Sequence, residues 1–194
     1  MSLAKSYQKS LEQQWCLRLR TKHPDGDNYD GVITHVKKSF VVLREERELE
    51  FDGLIILKKE FIKSCRDGKF EKCINEILQS NGAMKKCRSP KWINNCGTPF
   101  DVMTAIQRRG IWPGIETLFN DGKDSAFYLG PITQVNKNSF SIYCYDAAGK
   151  WEQEYELEYA EIFRIEIDSI YCNHFNRYMR SVESTNQILQ QLKN

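Results

Sequence analysis

The chain has 194 residues and an ordinary composition for a folded protein, 41% hydrophobic and 28% charged, with no low-complexity stretch. Its net charge is only +2, and the uneven spread of that charge does not resemble the concentrated positive stripe of a nucleic-acid binder. No apolar run approaches the ~18 residues that a membrane-spanning helix needs, and the start lacks a signal-peptide pattern, so a cytoplasmic setting is expected. The charge is unevenly spread: residues 1–97 carry 19 Lys/Arg against 13 Asp/Glu, and residues 98–194 carry 9 against 13. That asymmetry can draw the two halves together, or one chain to another. Seven cysteines, an odd number without an export signal, argue for buried reduced thiols over a disulfide framework. Cys65, Cys73, Cys87 and Cys96 lack the short C-x2-4-C spacing of a zinc site and have no histidine among them, so no metal is expected.

Leu3, Tyr7, Leu11 and Trp15 recur every four residues and predict an opening amphipathic helix, followed by a half-buried strand through Leu17 and Leu19. His23-Pro24-Asp25-Gly26-Asp27 is turn chemistry. Short strands are then predicted at Tyr29–Val36, Phe40–Leu43, Glu48–Phe51 and Leu54–Leu57. Phe70, Cys73, Ile74, Ile77 and Leu78 share one face of a helix that Gly82 can end. Residues 83–97 read as a basic connector containing Lys85, Lys86, Arg88, Lys91 and Trp92.

Thr98-Pro99 with Asp101 is a capping box with proline at the first helical position, and Phe100, Met103 and Ile106 form the expected buried stripe before Gly110. Ile115, Thr117 and Phe119 begin a second set of strands, with a turn at Asn120-Asp121-Gly122. Phe127–Val135 and Ser139–Tyr145 follow, and Asp146-Ala147-Ala148-Gly149 reverses the chain. In the next strand Trp151, Tyr155, Leu157 and Tyr159 face one way, and Lys150, Glu152, Glu154, Glu156 and Glu158 face the other. Glu161–Ile167 is the last strand. A final helix carries Tyr171, Phe175, Tyr178, Met179 and Val182 on one face, with Ile188, Leu189 and Leu192 in a tail.

These elements repeat. Gly31-Val32-Ile33-Thr34-His35-Val36 returns as Gly130-Pro131-Ile132-Thr133-Gln134-Val135, Ser39-Phe40 as Ser139-Phe140, and Phe51–Leu57 is aligned with Tyr159–Ile165. A helix followed by short bent strands, with Tyr29-Asp30-Gly31-Val32-Ile33 and Phe40-Val41-Val42-Leu43, resembles the first motif of Sm-like and SH3-like small barrels. The ending Ile162-Phe163-Arg164-Ile165 and Tyr171 to Tyr178 is similar in style to repeats of uncharacterised bacterial proteins. The resemblance implies an α+β, mainly β fold of two tandem SH3-like or Sm-like small barrels, each preceded and followed by a helix. Residues 1–82 would form one helix-plus-barrel repeat, 83–97 the connector and 98–194 the second repeat. The Sm RNA pocket is not carried over, because its places here read Lys37-Lys38-Ser39, Asn136-Lys137-Asn138, Asp52-Gly53 and Tyr159-Ala160.

No phosphate-loop, dinucleotide, nucleophile-elbow or H-E-x-x-H signature is present. The expectation is a non-catalytic binding module, without cofactor, for an unidentified protein partner, with no membrane role and self-association open. Its candidate surface is Glu152, Glu154, Glu156 and Glu158, whose plainer role is a solvated strand face that resists aggregation. The alternative is an Sm-like nucleic-acid binder using Lys85, Lys86, Arg88, Lys91 and Trp92, beside the plainer role of an exposed linker. A third possibility, a small hydrolase-like enzyme, needs Glu166, Asp168 and His174 to converge. Separately, Asp168 is more simply a helix N-cap.

Overall fold

The computed structural model describes residues 2–119 and 124–191, with side chains described through Val182. The expected turn at 120–122 lies outside them, as do Leu192 and the side chains of Ile188 and Leu189. Helix α1 (Leu3–Gln13) leads into β1 (Cys16–Thr21), β2 (Asn28–Val36), β3 (Phe40–Arg47) and β4 (Glu50–Lys58). A short 3-10 turn precedes β5 (Ile62–Arg66) and helix α2 (Lys69–Ser80). Helix α3 (Pro99–Arg108) opens the second half, followed by β6 (Gly114–Phe119), β7 (Asp124–Leu129), β8 (Ile132–Val135), β9 (Ser139–Tyr145), β10 (Trp151–Glu158) and β11 (Ile162–Ile167). Helix α4 (Ile170–Gln191) closes the chain as described.

The strands form one eight-stranded antiparallel sheet, ordered β5-β1-β2-β3-β4-β11-β6-β7, and one three-stranded sheet, β10-β9-β8. This overturns the expected pair of small barrels. Neither half closes on itself, because the outer edge of β4 is taken by β11 of the other half, in register Leu54↔Ile167 to Leu57↔Arg164. The expected correspondence of Phe51–Leu57 with Tyr159–Ile165 fails for the same reason. Leu54–Leu57 and Arg164–Ile167 lie on different strands of the plan and are hydrogen-bonded partners.

The duplication itself is written in backbone hydrogen bonds. Lys37 N donates to Phe40 O and Asn136 N to Ser139 O; Lys22 N donates to Phe61 O and Leu118 N to Glu161 O. Val41 faces Leu57 as Phe140 faces Leu157. Thr21 faces Ile62 and Arg20 faces Ser64, with the same one-residue bulge that separates Thr117–Ile162 from Glu116–Arg164. So β1, β3, β4 and β5 correspond to β6, β9, β10 and β11, while β2 corresponds to β7 plus β8. The predicted single strand Phe127–Val135 is broken at Gly130-Pro131, since proline cannot donate to a ladder.

Gly31 and Gly130 have φ of 157° and 155°, and a Cβ on either would stand 2.1 Å from a backbone oxygen, of Arg44 or Tyr143. The backbones approach so closely there that only glycine fits. Leu17, Leu19, Ile33, Val41, Leu43, Ile55 and Leu57 fill the core of the first half. Phe40, Val42, Leu54 and Ile56, on the other face, join Val102, Met103 and Ile106 of α3 and the inner residues Ile115, Ile132, Phe140 and Ile142. The second core is therefore built partly on the back of the first half.

Several local expectations hold. Thr98 Oγ1 accepts from Asp101 N at 3.2 Å while Asp101 Oδ2 accepts from Thr98 N at 2.8 Å, and Gly82 and Gly110 take positive φ just past α2 and α3. Others change. Glu48–Phe51 and Leu54–Leu57 are parts of a single β4 region with a turn at Glu48-Leu49, and Phe70 and Phe100 are exposed rather than buried. Residues 83–97 fold into two 3-10 turns held down by Ala83, Cys87, Ile93 and Cys96, all buried.

Gly31→Ala and Gly130→Ala are each expected to lower the stability to urea by about 2–4 kcal/mol. Gly26→Ala, with open space around its Cβ, should cost only about 1 kcal/mol. Equal losses at all three positions would refute the close-approach argument.

Candidate protein-interaction site

Strand β10 pairs with β9 and stands at the end of its sheet, so among the described residues no strand lies along its other edge. Leu157 is buried and Tyr155 half-buried against the second core, while Glu152, Glu154, Glu156 and Glu158 are exposed, as the alternation predicted. Glu156 accepts from Ser139 Oγ at 2.6 Å and Glu154 from Thr133 Oγ1, which lines these carboxylates up across the small sheet. Among the described residues none of the four glutamates is in an ion pair, so the strip is an uncompensated negative surface.

At one end of the large sheet, β5 is a terminal strand. Lys63 is exposed there, and Arg66 is held by Glu71 through contacts of 2.8 and 2.7 Å. Sequence reasoning did not read Ile62–Arg66 as a strand, because Lys63, Ser64 and Arg66 give it no apolar alternation; its bulge also breaks the two-residue period.

Between these edges lies a buried charge cluster. Arg164, on the strand shared by both halves, donates through Nε to Glu116 Oε2 at 2.5 Å and through Nη1 to Glu166 Oε2 at 2.7 Å. Its guanidinium lies 5.4 Å from the Tyr29 ring and 5.7 Å from Phe127. His23 comes in from the β1–β2 turn: Asp25 N donates to its Nδ1 at 3.2 Å, and its Nε2 lies 3.0 Å from Glu116 Oε1 but out of line for a hydrogen bond. His23, Asp27 and Glu116 bring three possible ligand atoms within 4.8 Å of one another. However, the two ring nitrogens face different carboxylates, and Glu116 is already neutralised by Arg164. The chemistry of the set is that of a structural ion cluster, in which each buried carboxylate needs its cation.

The three residues of the enzyme hypothesis do not converge. Glu166 is buried on Arg164, and Asp168 is exposed with a φ of 58°. His174 is exposed on α4, at the wall of a groove of about 850 Å³ that also holds Glu50, Asp52, Ile170 and Phe175. The capping role expected of Asp168 falls to others: Ser169 Oγ accepts from Cys172 N at 3.1 Å, and Asp52 Oδ1 accepts from Ile170 N at 2.7 Å. In the connector Lys85, Lys86, Arg88 and Lys91 are exposed, but Trp92 packs on the second core with Arg109 5.4 Å from its ring. Its stacking face is thus occupied from within the chain.

No protein-family model matches this chain, nor does any curated protein or solved structure. Among the described residues no helix is long and apolar enough to cross a membrane.

Glu45 on β3 is a further buried carboxylate, with Arg47 Nε 3.4 Å from its Oε2. Burial first, then Glu166 and Asp52, outweigh Arg47 and Arg164 and push its carboxyl up to about 7. An unfolded glutamate ionises near 4.5, so the folded state holds the proton longer and stability falls as pH rises from 4.5 to about 7. Glu45→Gln should match the wild type in urea unfolding near pH 4.5 and exceed it by about 3 kcal/mol at pH 8. Identical unfolding midpoints at both pH values would contradict this.

Proposed function

We propose that this chain is a non-catalytic protein-interaction module that accepts an extended basic segment as an added strand on the free edge of β10. One observation carries this reading: β4, which holds the same place in the first half as β10 in the second, already accepts a strand, β11, along that edge. Main-chain hydrogen bonds would supply affinity in such an addition, and the exposed glutamates would select a basic partner over an acidic one. The same glutamates repel phosphate, which favours protein over nucleic acid at this edge. A cytoplasmic setting fits the seven unpaired thiols.

A fluorescent peptide of alternating Lys and Val tests the reading. Saturable binding is expected, at least tenfold weaker for the variant Glu154→Lys/Glu156→Lys/Glu158→Lys and weaker again in 0.5 M salt. Binding that is equal for the variant and the wild type would place recognition elsewhere.

A further inference from the structure

The strand junction inside the chain has two loose ends that match one another. Internally β4 of the first half meets β11 of the second, and the corresponding positions left open are β10 at one end and β5 at the other. Continuing the register by the observed correspondence sets Leu157 opposite Ser64 and Tyr155 opposite Arg66. Residues 58–69 around β5 carry five Lys/Arg against two Asp/Glu; residues 150–161 around β10 carry five Glu against one Lys.

One contact fixes the argument at side-chain level. At the internal junction the bulged residue of β11, Phe163, enters the core of the first half and meets Phe61 edge-on, with ring centroids 5.4 Å apart. The residue corresponding to Phe163 is Lys63, which occupies the same bulge, and the residue corresponding to Phe61 is Glu161, which accepts the same backbone hydrogen bond. Where the internal junction has two phenyl rings, the open ends therefore carry opposite charges. Lys63 is exposed and Glu161 half-exposed.

We propose that the chain associates head to tail with a second copy of itself, β10 of one adding antiparallel to β5 of the next, with Lys63 against Glu161. This rests on β10 being a strand acceptor and names its partner. A head-to-tail contact of this kind propagates until it closes, and charge in place of apolar area makes it sensitive to ionic strength, as exposed pairs are screened within a few ångströms at high salt.

Sedimentation of the full chain over a range of concentrations in low salt tests it. Wild type should form species larger than a monomer that dissociate in 0.5 M salt. Lys63→Glu and Glu161→Lys should each weaken association at least tenfold, and the double variant Lys63→Glu/Glu161→Lys should recover it to within about threefold. A double variant no better than the singles would overturn the assigned contact. A wild type that stays monomeric at every concentration would overturn self-association; if the Lys-Val peptide still bound β10, the acceptor reading would survive that result, and if it did not, both would fall.

Discussion

Antiparallel pairing of Leu54–Leu57 with Arg164–Ile167 joins strands about a hundred residues apart in sequence and turns two copies of one strand plan into a single sheet. Everything else is arranged around that junction. It takes the outer edge of β4, keeps the first half open, and turns the outer faces of Phe40, Val42, Leu54 and Ile56 into part of the second half's core. Because each core borrows from the other half, Phe163 in the first and Leu54 and Ile56 in the second, loss of the junction would expose both cores at once.

The same strand carries the cation that the buried carboxylates require. Arg164 holds Glu116 on β6 and its own neighbour Glu166, and Tyr29 and Phe127 cover its guanidinium. Removing one partner of such a buried set typically costs about 3–5 kcal/mol, because a charge is left without water or counter-ion. Such a cluster is demanding of geometry, and it ties the β1–β2 turn, through His23, to strands of the other half. The chemistry here serves position. Two of the terminal strands, β10 and β5, hold the places that β4 and β11 use in the internal pairing.

Much of this was legible in the residues. Alternation found β10 and its glutamates, the Thr98–Asp101 box found the start of α3, and the recurrence around Gly31 and Gly130 found the duplication, now seen as shared backbone contacts and a shared close approach. The pairing of β4 with β11, which stands in place of the two closed barrels expected, was not, because strand alternation records which face of a strand is buried and leaves open which strand lies at its edge. Phe51–Leu57 and Tyr159–Ile165 look alike in sequence because both run into buried, mostly apolar strands, β4 and β11, so similarity suggested correspondence between strands that instead pair, Leu54–Leu57 with Arg164–Ile167. Arg164 gave one signal that could have been used: a lone cation within Ile162–Ile167 implies a buried anionic partner. Glu116 and His23 could not be assigned as its surroundings, since only the pairing of β11 with β6 and the approach of the β1–β2 turn bring them there.

Amide hydrogen exchange resolved to single residues tests the shared junction most directly. In dilute protein the amides of Leu54–Leu57 and Arg164–Ile167 should exchange together in the slowest class, through global unfolding alone, while those on the open side of β10 exchange far faster. Exchange along β4 as fast as along β10, or a β11 that opens independently of β4, would mean that the two halves are not one sheet.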